Sequence, residues 1–422
     1  MSENSNPKKI LIIGSGGREH AIGWKFKQDA AHNNYECELY FIPGNAGTAR
    51  IGANVSVKSL AEMSGFAKEN QIDLTFVGPE AELAQGIVDL FKSEGLEIFG
   101  PDKRAAQLES SKAFAKDFMA KYNVKTAKYK TFNGPMLAIE YLKTQDFPIV
   151  VKASGLAAGK GVVICPDFEE AKKAVLDIME NKSFGEAGNQ VVIEEYLEGF
   201  EASILSFFNG NEIVPFVSAK DHKKIGEGET GLNTGGMGVL APNPLFTKSH
   251  FDEFTKEIMQ TTLNGLIAEE MNFSGVIFFG LMISQKGVFL LEYNLRMGDP
   301  ETQVCLPLLE NDLFETVMKS NKGERFELNF SDKHACCVVM VSGGYPLNYE
   351  KGFEIRGIEN IDCPYFVAGA KEKDGKMLTS GGRVLNIVGI GNSLEAARNQ
   401  AYENIVKVHF DYQYYRKDIG LV

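Results

Sequence analysis

Four short apolar runs, each ending in a glycine or proline turn, constrain the fold of the first hundred residues. The runs are KILIIG (9–14), CELYFIPG (37–44), IDLTFVGP (72–79) and LEIFGP (96–101). Continuous apolar runs of this length are typical of strands buried on both faces, as in parallel sheets. Because helical segments lie between the later runs, the pattern predicts βαβ units around a parallel sheet.

Each of these strands is followed by a distinctive turn. The turns are GSGGREH (14–20), PGNAGT (43–48), GPE (78–80) and GPDK (100–103). Ligands of open parallel sheets bind beyond the carboxyl ends of the strands, so these turns are candidate binding segments. The first turn does not match the dinucleotide fingerprint, because Glu19 stands where the third glycine is required.

The middle of the chain shows a different pattern of predicted helices and strands. SSKAFAKDFMAKY (110–122) predicts an amphipathic helix with Ser110 or Ser111 as its N-cap. FPIVVKA (147–153) and KGVVIC (160–165) predict two strands joined by a glycine-rich turn, within a compact α+β unit.

Antiparallel strand candidates follow, and the tail has strands and a helix of its own. The fold class is therefore a multidomain combination of α/β and α+β parts. We predict an α/β substrate-binding domain at 1–108, a second domain at 109–328 with a small mobile subdomain at about 130–196, and a C-terminal domain at 329–422.

The glycine-rich turn lies in KASGLAAGKGVVI (152–164). It is not a P-loop, since Ser154 replaces the first glycine and Gly161 replaces the Ser or Thr that holds magnesium. One interpretation is a mobile hairpin whose backbone N–H groups bind phosphates, with Lys152 as a point charge. The other interpretation, a flexible surface hairpin with solvated lysines, remains open on this stretch alone.

The segment LLEYNLRMGDPETQ (290–303) carries the sharpest chemical signal. Glu292 and Asn294 are two apart on a predicted strand, so their side chains point to one face, and Arg296 continues that face if the strand does. A carboxylate beside an amide oxygen suits Mg²⁺, which takes its remaining ligands from water and phosphates. The arginine could neutralise a transferring phosphoryl group. A solvent-facing polar strand is the less favoured alternative.

A second polar cluster ends the apolar strand in VVIEEYLEGFE (191–201). Such a strand end can bind adenine through backbone groups, with Glu201 near the ribose hydroxyls. An exposed acidic strand end explains the same residues equally well.

Composition limits the partners. The formal net charge of −12 disfavours nucleic acid, although a local basic site can still bind ATP. Six cysteines without C-x-x-C spacing are typical of free thiols in a reducing compartment. The apolar runs near the start and at 275–283 are too short for a signal peptide or a membrane span. We therefore expect a soluble cytoplasmic protein with no nucleic-acid or membrane partner.

Eleven segments, taken in order, resemble one family across essentially the whole chain. They are GSGGREHA, PGNAGTA, VGPE, SKAFAKDFM, VVKASGLAAGKGVV, VVIEEYLEGFEAS, KDHKKIGEGETGLNTGGMG, LEYNLRMGDPETQ, SGGYP, GGRVL and YRKDIG. GGREH, NTGGMG and GDPETQ are highly specific together. The chain resembles the ATP-grasp ligases that join phosphoribosylamine and glycine, also called glycinamide ribonucleotide synthetases.

The resemblance implies a Rossmann-like (preATP-grasp) N-terminal domain, an ATP-grasp core and a small C-terminal α+β domain. It also implies ATP-dependent ligation of glycine to 5-phosphoribosylamine through glycyl phosphate, the second step of de novo purine synthesis. ATP would be the co-substrate, Mg²⁺ or Mn²⁺ the metal, and the enzyme would be a monomer or weak homodimer.

The same resemblance implies a role for each matching residue. ATP binding falls to Lys112, Lys152, Gly155, Gly159, Lys160, Gly161, Glu194, Glu195, Leu197 and Glu201, and metal binding to Glu292 and Asn294. Substrate binding falls to Gly16, Gly17, Arg18, Glu19, Asn45, Gly47, Thr48, Pro79, Glu80, Asn233 and Thr234. Arg296, Lys223 and Asp299 would surround glycine and the acyl phosphate as catalytic residues.

Some residues depart from the family pattern. Ser154 stands where the family usually has aspartate, Lys224 replaces an arginine and Leu232 a proline. KDHKK and YNLRM stand for the usual QDHKR and FNARF. Because the metal and phosphate groups remain, we predict altered kinetics rather than lost activity.

Two questions stay open at this point. His20 and His222 are either acid–base groups or structural histidines. The rival functions are an ATP-grasp ligase with another carboxylate or amine, and a non-catalytic nucleotide sensor. GGREH and NTGGMG argue against the first rival, and the intact Lys112, Lys152, Glu292 and Asn294 argue against the second.

Overall fold

Five parallel strands form the N-terminal sheet in the computed structural model, which describes residues 6–157 and 161–421. In spatial order they are Ala53–Asn54, Cys37–Pro43, Lys8–Gly14, Leu74–Val77 and Ile98–Phe99. Ile10 and Ile12 pack with Phe26 on one face of the central strand, and Leu11 packs with Phe91 on the other. The central strand is thus buried on both faces, and the predicted parallel sheet is confirmed.

The turns after these strands meet at one edge of the sheet. Gly14 pairs with Pro43 at the ends of neighbouring strands, and the Gly44 N–H donates to Gly14 O at 3.1 Å. The Gly78 N–H donates to Ile13 O at 3.0 Å, which joins the third turn to the same edge. The helices of this part are Gly17–His32, Leu60–Glu69, Glu80–Gln85 and Ile87–Ser93.

A small unit with its own hydrophobic core follows. Its four antiparallel strands are, in spatial order, Tyr129–Phe132, Val191–Glu195, Ile149–Ala153 and Val162–Cys165. Helices Pro135–Leu142 and Phe168–Met179 pack on the sheet, burying Leu142 and Val175 against Val151 and Ile193. The two strands predicted around the glycine-rich turn are confirmed, while Gly159 and Lys160 of that turn lie outside the described residues.

A second antiparallel sheet carries the predicted metal strand. Its strands are Ile213–Pro215, Phe200–Phe208, Gly275–Ser284 and Gly287–Asn294 in spatial order. Helices Gln107–Ser110, Lys112–Lys121, Lys248–Phe254 and Gln260–Ala268 belong to this part, with a π-helical turn at Thr255–Met259. Ser111 caps the helix Lys112–Lys121 by accepting a hydrogen bond from the Phe114 N–H at 3.3 Å. Of the two predicted N-caps, Ser110 and Ser111, the second is therefore confirmed.

The C-terminal sheet combines strands from both sides of position 329, the predicted start of the last domain. In spatial order they are Lys220–Asp221, Gly238–Ala241, His334–Ser342, Arg383–Gly391 and Tyr365–Val367, with Gln413–Tyr414 beside the third. Helix Leu394–Ile405 packs on this sheet. Two hairpins, Lys224–Gly226 with Thr230–Asn233 and Ala370–Lys373 with Lys376–Thr379, extend from this part.

Two more helices, Thr302–Leu308 and Leu313–Asn321, follow the metal strand. Within the part of the chain that the structure describes, no helix is both long enough and apolar enough to cross a membrane. The predicted mixture of a parallel α/β part with α+β parts is confirmed.

Candidate active site

Glu292 and Asn294 lie on one side of the strand Gly287–Asn294, near its end. Tyr293 between them is buried on the opposite side, where its hydroxyl lies 2.6 Å from Thr262 Oγ1. The alternation of a strand therefore places the carboxylate and the amide next to each other, as predicted.

Glu292 is surrounded by positive charge. Burial alone would raise the pKa of this carboxyl, but the charges of Lys112, Lys223 and Lys152 together hold its pKa below the usual value. The group is thus ionised near neutral pH and suited to a divalent cation. Within the described residues, no group of three or more His, Cys, Asp or Glu side chains could hold a metal. The pair fits Mg²⁺, an ion that draws most of its ligands from water and phosphate oxygens.

Arg296 lies beyond the metal strand, because the strand ends at Asn294. Its Nη2 is 3.1 Å from Asn294 Oδ1 and 3.1 Å from Glu109 Oε1. Its Nε is 3.7 Å from Glu80 Oε2 and has no hydrogen-bond partner among the described residues. Arg296 thus lies beside Glu80, the residue after Pro79 in the third turn. The resemblance assigns Glu80 to phosphoribosylamine and Arg296 to glycine.

Lys152 and Glu194 pair inside the small unit. Lys152 Nζ lies 2.9 Å from Glu194 Oε2, and the Lys116 ammonium reaches the same oxygen at 3.2 Å. Burial would raise the pKa of Glu194, yet Lys152 and Lys116 lower it below its usual value. The other oxygen, Oε1, is buried without a hydrogen-bond partner in the described part of the chain.

The other residues predicted for adenine and ribose differ in their surroundings. Glu195 accepts a hydrogen bond from the Lys128 N–H at 2.9 Å, and Leu197 is buried. Glu201 forms an ion pair with Lys223. Burial would lower the pKa of Lys223, but the carboxylates of Glu201, Glu292 and Asp221 raise it. Lys223 is therefore a fixed cation beside both the ribose and metal candidates.

The base of the glycine-rich turn is tied to the helix that begins at Lys112. The Lys112 N–H donates to Ser154 O at 2.7 Å, and Ser154 Oγ accepts from the Ala113 N–H at 3.1 Å. Close packing also explains the glycine at position 155, since a Cβ there would lie 2.6 Å from the Cα of Ala187. At the far side of the turn, Gly161 O accepts a hydrogen bond from Ala153 at 2.8 Å. These contacts place the start of the helix that carries Lys112 beside the end of the strand that carries Lys152.

The N-terminal turn is organised by Glu19. Its carboxylate accepts hydrogen bonds from the Gly16 N–H and from Arg18 Nε, both at 2.5 Å. Arg18 Nη1 donates to Met297 O at 3.1 Å, which joins the turn to the segment after the metal strand. Gly17 has no space for a side chain, because a Cβ would lie 2.4 Å from Asn386 Nδ2.

The second turn is organised by Asn45. Its Oδ1 accepts from the Gly47 N–H at 2.7 Å, and its Nδ2 donates to Ser15 O at 2.8 Å. Thr48 is fully buried, and its Oγ1 donates a hydrogen bond to Asn54 Oδ1 at 2.7 Å. Its side chain therefore stabilises the turn from within. Asn45 thus links the first two turns.

A cavity of about 690 Å³ opens between these turns and the C-terminal part. Asp299 belongs to its wall and also adjoins the first turn, where a Cβ on Gly16 would lie 3.2 Å from Asp299 Oδ2. The other main polar lining residues are Ser15, Asn45, Asn54, Tyr345, Lys371, Glu372, Ser380 and Arg383.

Family models cover most of the chain. The N domain of phosphoribosylglycinamide synthetase matches residues 8–109, the ATP-grasp (A) domain residues 110–302 and the C domain residues 335–422. The chain belongs to the phosphoribosylglycinamide synthetase family. The ATP-grasp fold implied by the resemblance is thereby confirmed.

Relatives of this synthetase family match nearly the full length of this chain. A phosphoribosylamine–glycine ligase of Fusobacterium nucleatum is 52% identical over 98% of both chains. The trifunctional purine biosynthetic protein adenosine-3 of Gallus gallus is 44% identical over 98% of this chain and 42% of that protein. The crystal structure of phosphoribosylamine–glycine ligase from Thermotoga maritima has a TM-score of 0.85 at 37% identity, covering 97% of this chain and 100% of that one.

In this member of the phosphoribosylglycinamide synthetase family, the C-terminal side of the cavity carries polar residues that were not among the predicted site residues. Arg383 Nη1 donates to Asp299 O at 2.9 Å, and its Nη2 lies 3.2 Å from Asp299 Oδ2. The Tyr345 hydroxyl accepts from the Gly235 N–H at 2.9 Å. The signal was present, because Arg383 follows a glycine pair in GGRVL and Tyr345 follows another in SGGYP.

The segment before the metal strand also joins this site. Thr234 Oγ1 donates to Lys223 O at 2.8 Å, while Asn233 is exposed at the end of its hairpin strand. This hairpin therefore presents Asn233 beside the Lys223 backbone.

The surroundings of His20 and His222 favour a structural role over acid–base catalysis. His20 Nδ1 accepts from the Val367 N–H at 2.8 Å, and burial, reinforced by Arg50, lowers its pKa to about 3. His222 Nδ1 lies 3.2 Å from Gly238 O, and burial lowers its pKa to about 4. Neutral, hydrogen-bonded imidazoles of this kind hold segments together rather than exchange protons near neutral pH.

Proposed function

We propose that this chain joins glycine to 5-phosphoribosylamine with ATP and gives glycinamide ribonucleotide, ADP and phosphate. This is the second step of de novo purine synthesis. The observation that supports it best is the Glu292–Asn294 pair at the end of one strand, with the carboxylate of Glu292 among the charges of Lys112, Lys223 and Lys152. The 52% identity to a phosphoribosylamine–glycine ligase over 98% of the chain supports the same reaction.

The chemistry proceeds in two displacements. A carboxylate oxygen of glycine bonds to the γ-phosphorus of ATP, ADP leaves, and glycyl phosphate forms. The amine of phosphoribosylamine then bonds to the glycyl carbonyl carbon, the C–O bond to phosphate breaks, and the amine loses one proton to solvent. Negative groups must approach one another, so placement of cations dominates catalysis.

Lys112 and Lys152 bind the ATP phosphates in this proposal. Their common support is the contact between Ser154 and the start of the helix Lys112–Lys121. Glu292 and Asn294 hold Mg²⁺ or Mn²⁺, an ion that supplies charge neutralisation at the phosphate oxygens when bound. Gly155 and Gly161 flank a turn that keeps water from the acyl phosphate. Gly159 and Lys160, which lie outside the described residues, stay predicted phosphate ligands.

Adenine and ribose occupy the strand end at Glu194. Glu194, Glu195 and Leu197 line the adenine side, and Glu201 binds the ribose hydroxyls. The unpartnered Glu194 Oε1 supports this assignment, because a buried carboxylate oxygen without a protein donor is able to accept an N–H of the adenine ring system.

The cavity of about 690 Å³ receives phosphoribosylamine. The backbone of the Gly16 and Gly47 turns, organised by Glu19 and Asn45, faces the sugar phosphate, and the cations Lys371 and Arg383 supply positive charge from the other side. Gly17, Arg18, Thr48, Pro79 and Glu80 hold the turns in place.

Glycine and the acyl phosphate lie between the cavity and the metal pair. Lys223 and Arg296 neutralise the reacting carboxylate, and Asp299, Asn233 and Thr234 complete the surroundings. The contacts of Arg296 with Asn294 and of Lys223 with Glu201 support this position. We further propose a cytoplasmic enzyme, active as a monomer or weak homodimer on small molecules alone.

The test follows ADP release by the purified protein with ATP, glycine and either Mg²⁺ or Mn²⁺. Freshly made phosphoribosylamine is added or omitted, and alanine replaces glycine in a parallel reaction. Release that needs both glycine and phosphoribosylamine supports the proposal. Equal turnover with alanine, or none with phosphoribosylamine, would instead indicate an ATP-grasp ligase of other specificity.

A further inference from the structure

Lys116 is a buried lysine for which the reaction described above has no role. It lies one turn after Lys112 on the helix Lys112–Lys121, and its side chain is only 2% exposed. Its Nζ is 2.7 Å from Thr126 Oγ1 and 3.2 Å from Glu194 Oε2. The aromatic ring of Tyr129 lies 5.6 Å from the same ammonium. A lysine is rarely buried to this extent without a specific partner.

The charges around Glu194 do not balance. Lys116 and Lys152 both contact Oε2, so one carboxylate faces two ammonium groups, and all three side chains are at least nine-tenths buried. Burial is the main reason that the pKa of Lys116 falls, to about 8, with the charge of Lys152 acting in the same direction. Excess positive charge in a buried place is costly until an anion arrives. The charge of Glu292 also acts on both lysines, but among the described residues Glu194 is the one carboxylate that contacts them. This contact therefore holds one more ammonium group than carboxylate groups, and an anionic ligand can take the second ammonium.

The two lysines differ in how they are held. The Lys116 ammonium also has the Thr126 hydroxyl, and Lys116 O accepts from the Tyr129 hydroxyl at 2.7 Å. The Lys152 ammonium, in contrast, has Glu194 as its one hydrogen-bond partner among the described residues. Lys152 also lies in the strand that leads into the glycine-rich turn. Of the two, Lys152 is free to turn towards a ligand and Lys116 is anchored.

We propose that Lys116 is a positioning residue, which neutralises Glu194 so that Lys152 can leave this carboxylate for the phosphates of the nucleotide. Lys116 then stays paired with Glu194 both before and after the nucleotide binds. Without Lys116, the Lys152–Glu194 pair becomes a closed one-to-one ion pair, and the nucleotide must break it. This inference rests on the proposed function, because it takes Lys152 as the phosphate ligand.

The first test compares ATP and ADP binding by calorimetry in Lys116→Met, Lys116→Arg and the wild-type enzyme. We expect Lys116→Met to weaken nucleotide binding about tenfold or more, since a charged hydrogen bond must be broken. Lys116→Arg keeps the charge and should recover most of the affinity, and the KM for glycine should change little. Lys121→Met is the matched control, because Lys121 lies on the same helix with its side chain 64% exposed.

The decisive variant is the double substitution Lys116→Met with Glu194→Gln. Removing the carboxylate charge releases Lys152, so the double variant should bind ATP more tightly than Lys116→Met alone. A purely structural role of Lys116 predicts that the two losses add, and this result would overturn the inference. If Lys116→Met does not fold, Lys116→Gln, which keeps a donor without the charge, takes its place in both tests.

Lys152→Met separates the two proposals. If Lys152→Met leaves ATP binding unchanged, the phosphate assignment in the proposed function is wrong. If Lys152→Met weakens ATP binding while Lys116→Met does not, the role given to Lys116 is wrong and the assignment of Lys152 stands.

Discussion

Arg416 Nη2 lies 2.8 Å from Glu229 Oε1 and joins the end of the chain to the hairpin that presents Asn233. Arg416 is 1% exposed and also bonds Lys224 O at 3.0 Å and both oxygens of Asp418. The Gly228 N–H donates to Asp418 at 2.8 Å from the hairpin side. The C-terminal segment thus holds the hairpin from one side, close to the candidate glycine site.

Arg416→Met should destabilise the protein by about 1–3 kcal/mol, because several charge-assisted hydrogen bonds lose their donor. Urea unfolding measured by circular dichroism gives the change in the free energy of unfolding. The control is Arg356→Met, whose partner Glu354 forms an exposed pair with a 70% exposed arginine side chain. That exposed pair should contribute less than about 1 kcal/mol. Equal effects of the two substitutions would contradict the role of Arg416.

Asp418 makes part of this stability dependent on pH. Hydrogen bonds from Arg416 are the main reason that its pKa falls from 3.8 to about 2. A carboxyl group whose pKa is lower in the folded protein stabilises fully above the unfolded value, and this contribution is lost as pH falls through the folded value. We therefore expect Asp418→Asn to lower the melting temperature at pH 7, with a difference from wild type that shrinks between pH 4 and about 2. A difference independent of pH would be contrary to this linkage.

Local patterns explain why part of this molecule could be predicted from its sequence. The parallel sheet follows from continuous apolar runs, and the Glu292–Asn294 pair follows from a spacing of two on a strand. Contacts between distant segments have no such local signal. The pairing of Lys116 with Glu194 and the contact of Arg383 with Asp299 depend on how separate elements pack. Arg296 shows the limit of a local rule, since the strand ends two residues before it.

Glu292→Gln should lower kcat at least about 100-fold, because metal stabilisation of the transferring phosphate contributes several kcal/mol. The substitution keeps the size of the side chain and removes the charge that the surrounding lysines hold ionised. Steady-state ADP release over a range of Mg²⁺ concentrations measures the effect, and the apparent Mg²⁺ affinity should fall as well. Glu257→Gln, at a half-exposed helical position, is the control and should behave as wild type. An unchanged Mg²⁺ dependence in Glu292→Gln would remove Glu292 from the metal site.

Ser154→Ala should cost about 1 kcal/mol of stability, the usual effect of losing one buried side-chain hydrogen bond. The lost hydrogen bond is the one that Ser154 Oγ accepts from the Ala113 N–H at 3.1 Å. Ser154→Asp introduces the residue that the family resemblance leads us to expect, and its carboxylate can accept the same N–H at a helix N-terminus. We expect this variant to fold and to change kcat without abolishing turnover. Thermal unfolding and ADP release measure the two effects, and an inactive wild type with an active Ser154→Asp would show that the departure is not tolerated.

Arg383→Met should raise the KM for phosphoribosylamine about tenfold or more while leaving the KM for ATP nearly unchanged. Arg383 lines the cavity, contacts Asp299 from the C-terminal sheet and carries one of the cations available to a sugar phosphate. Arg383→Lys keeps the charge but not the two-pronged geometry, so an intermediate KM is expected. Initial rates with each substrate varied in turn distinguish the cases. Arg356→Met is the control, because Arg356 is exposed at the surface and is absent from the cavity lining. A parallel rise in the KM for ATP would indicate a loss of domain packing instead of a role in substrate binding.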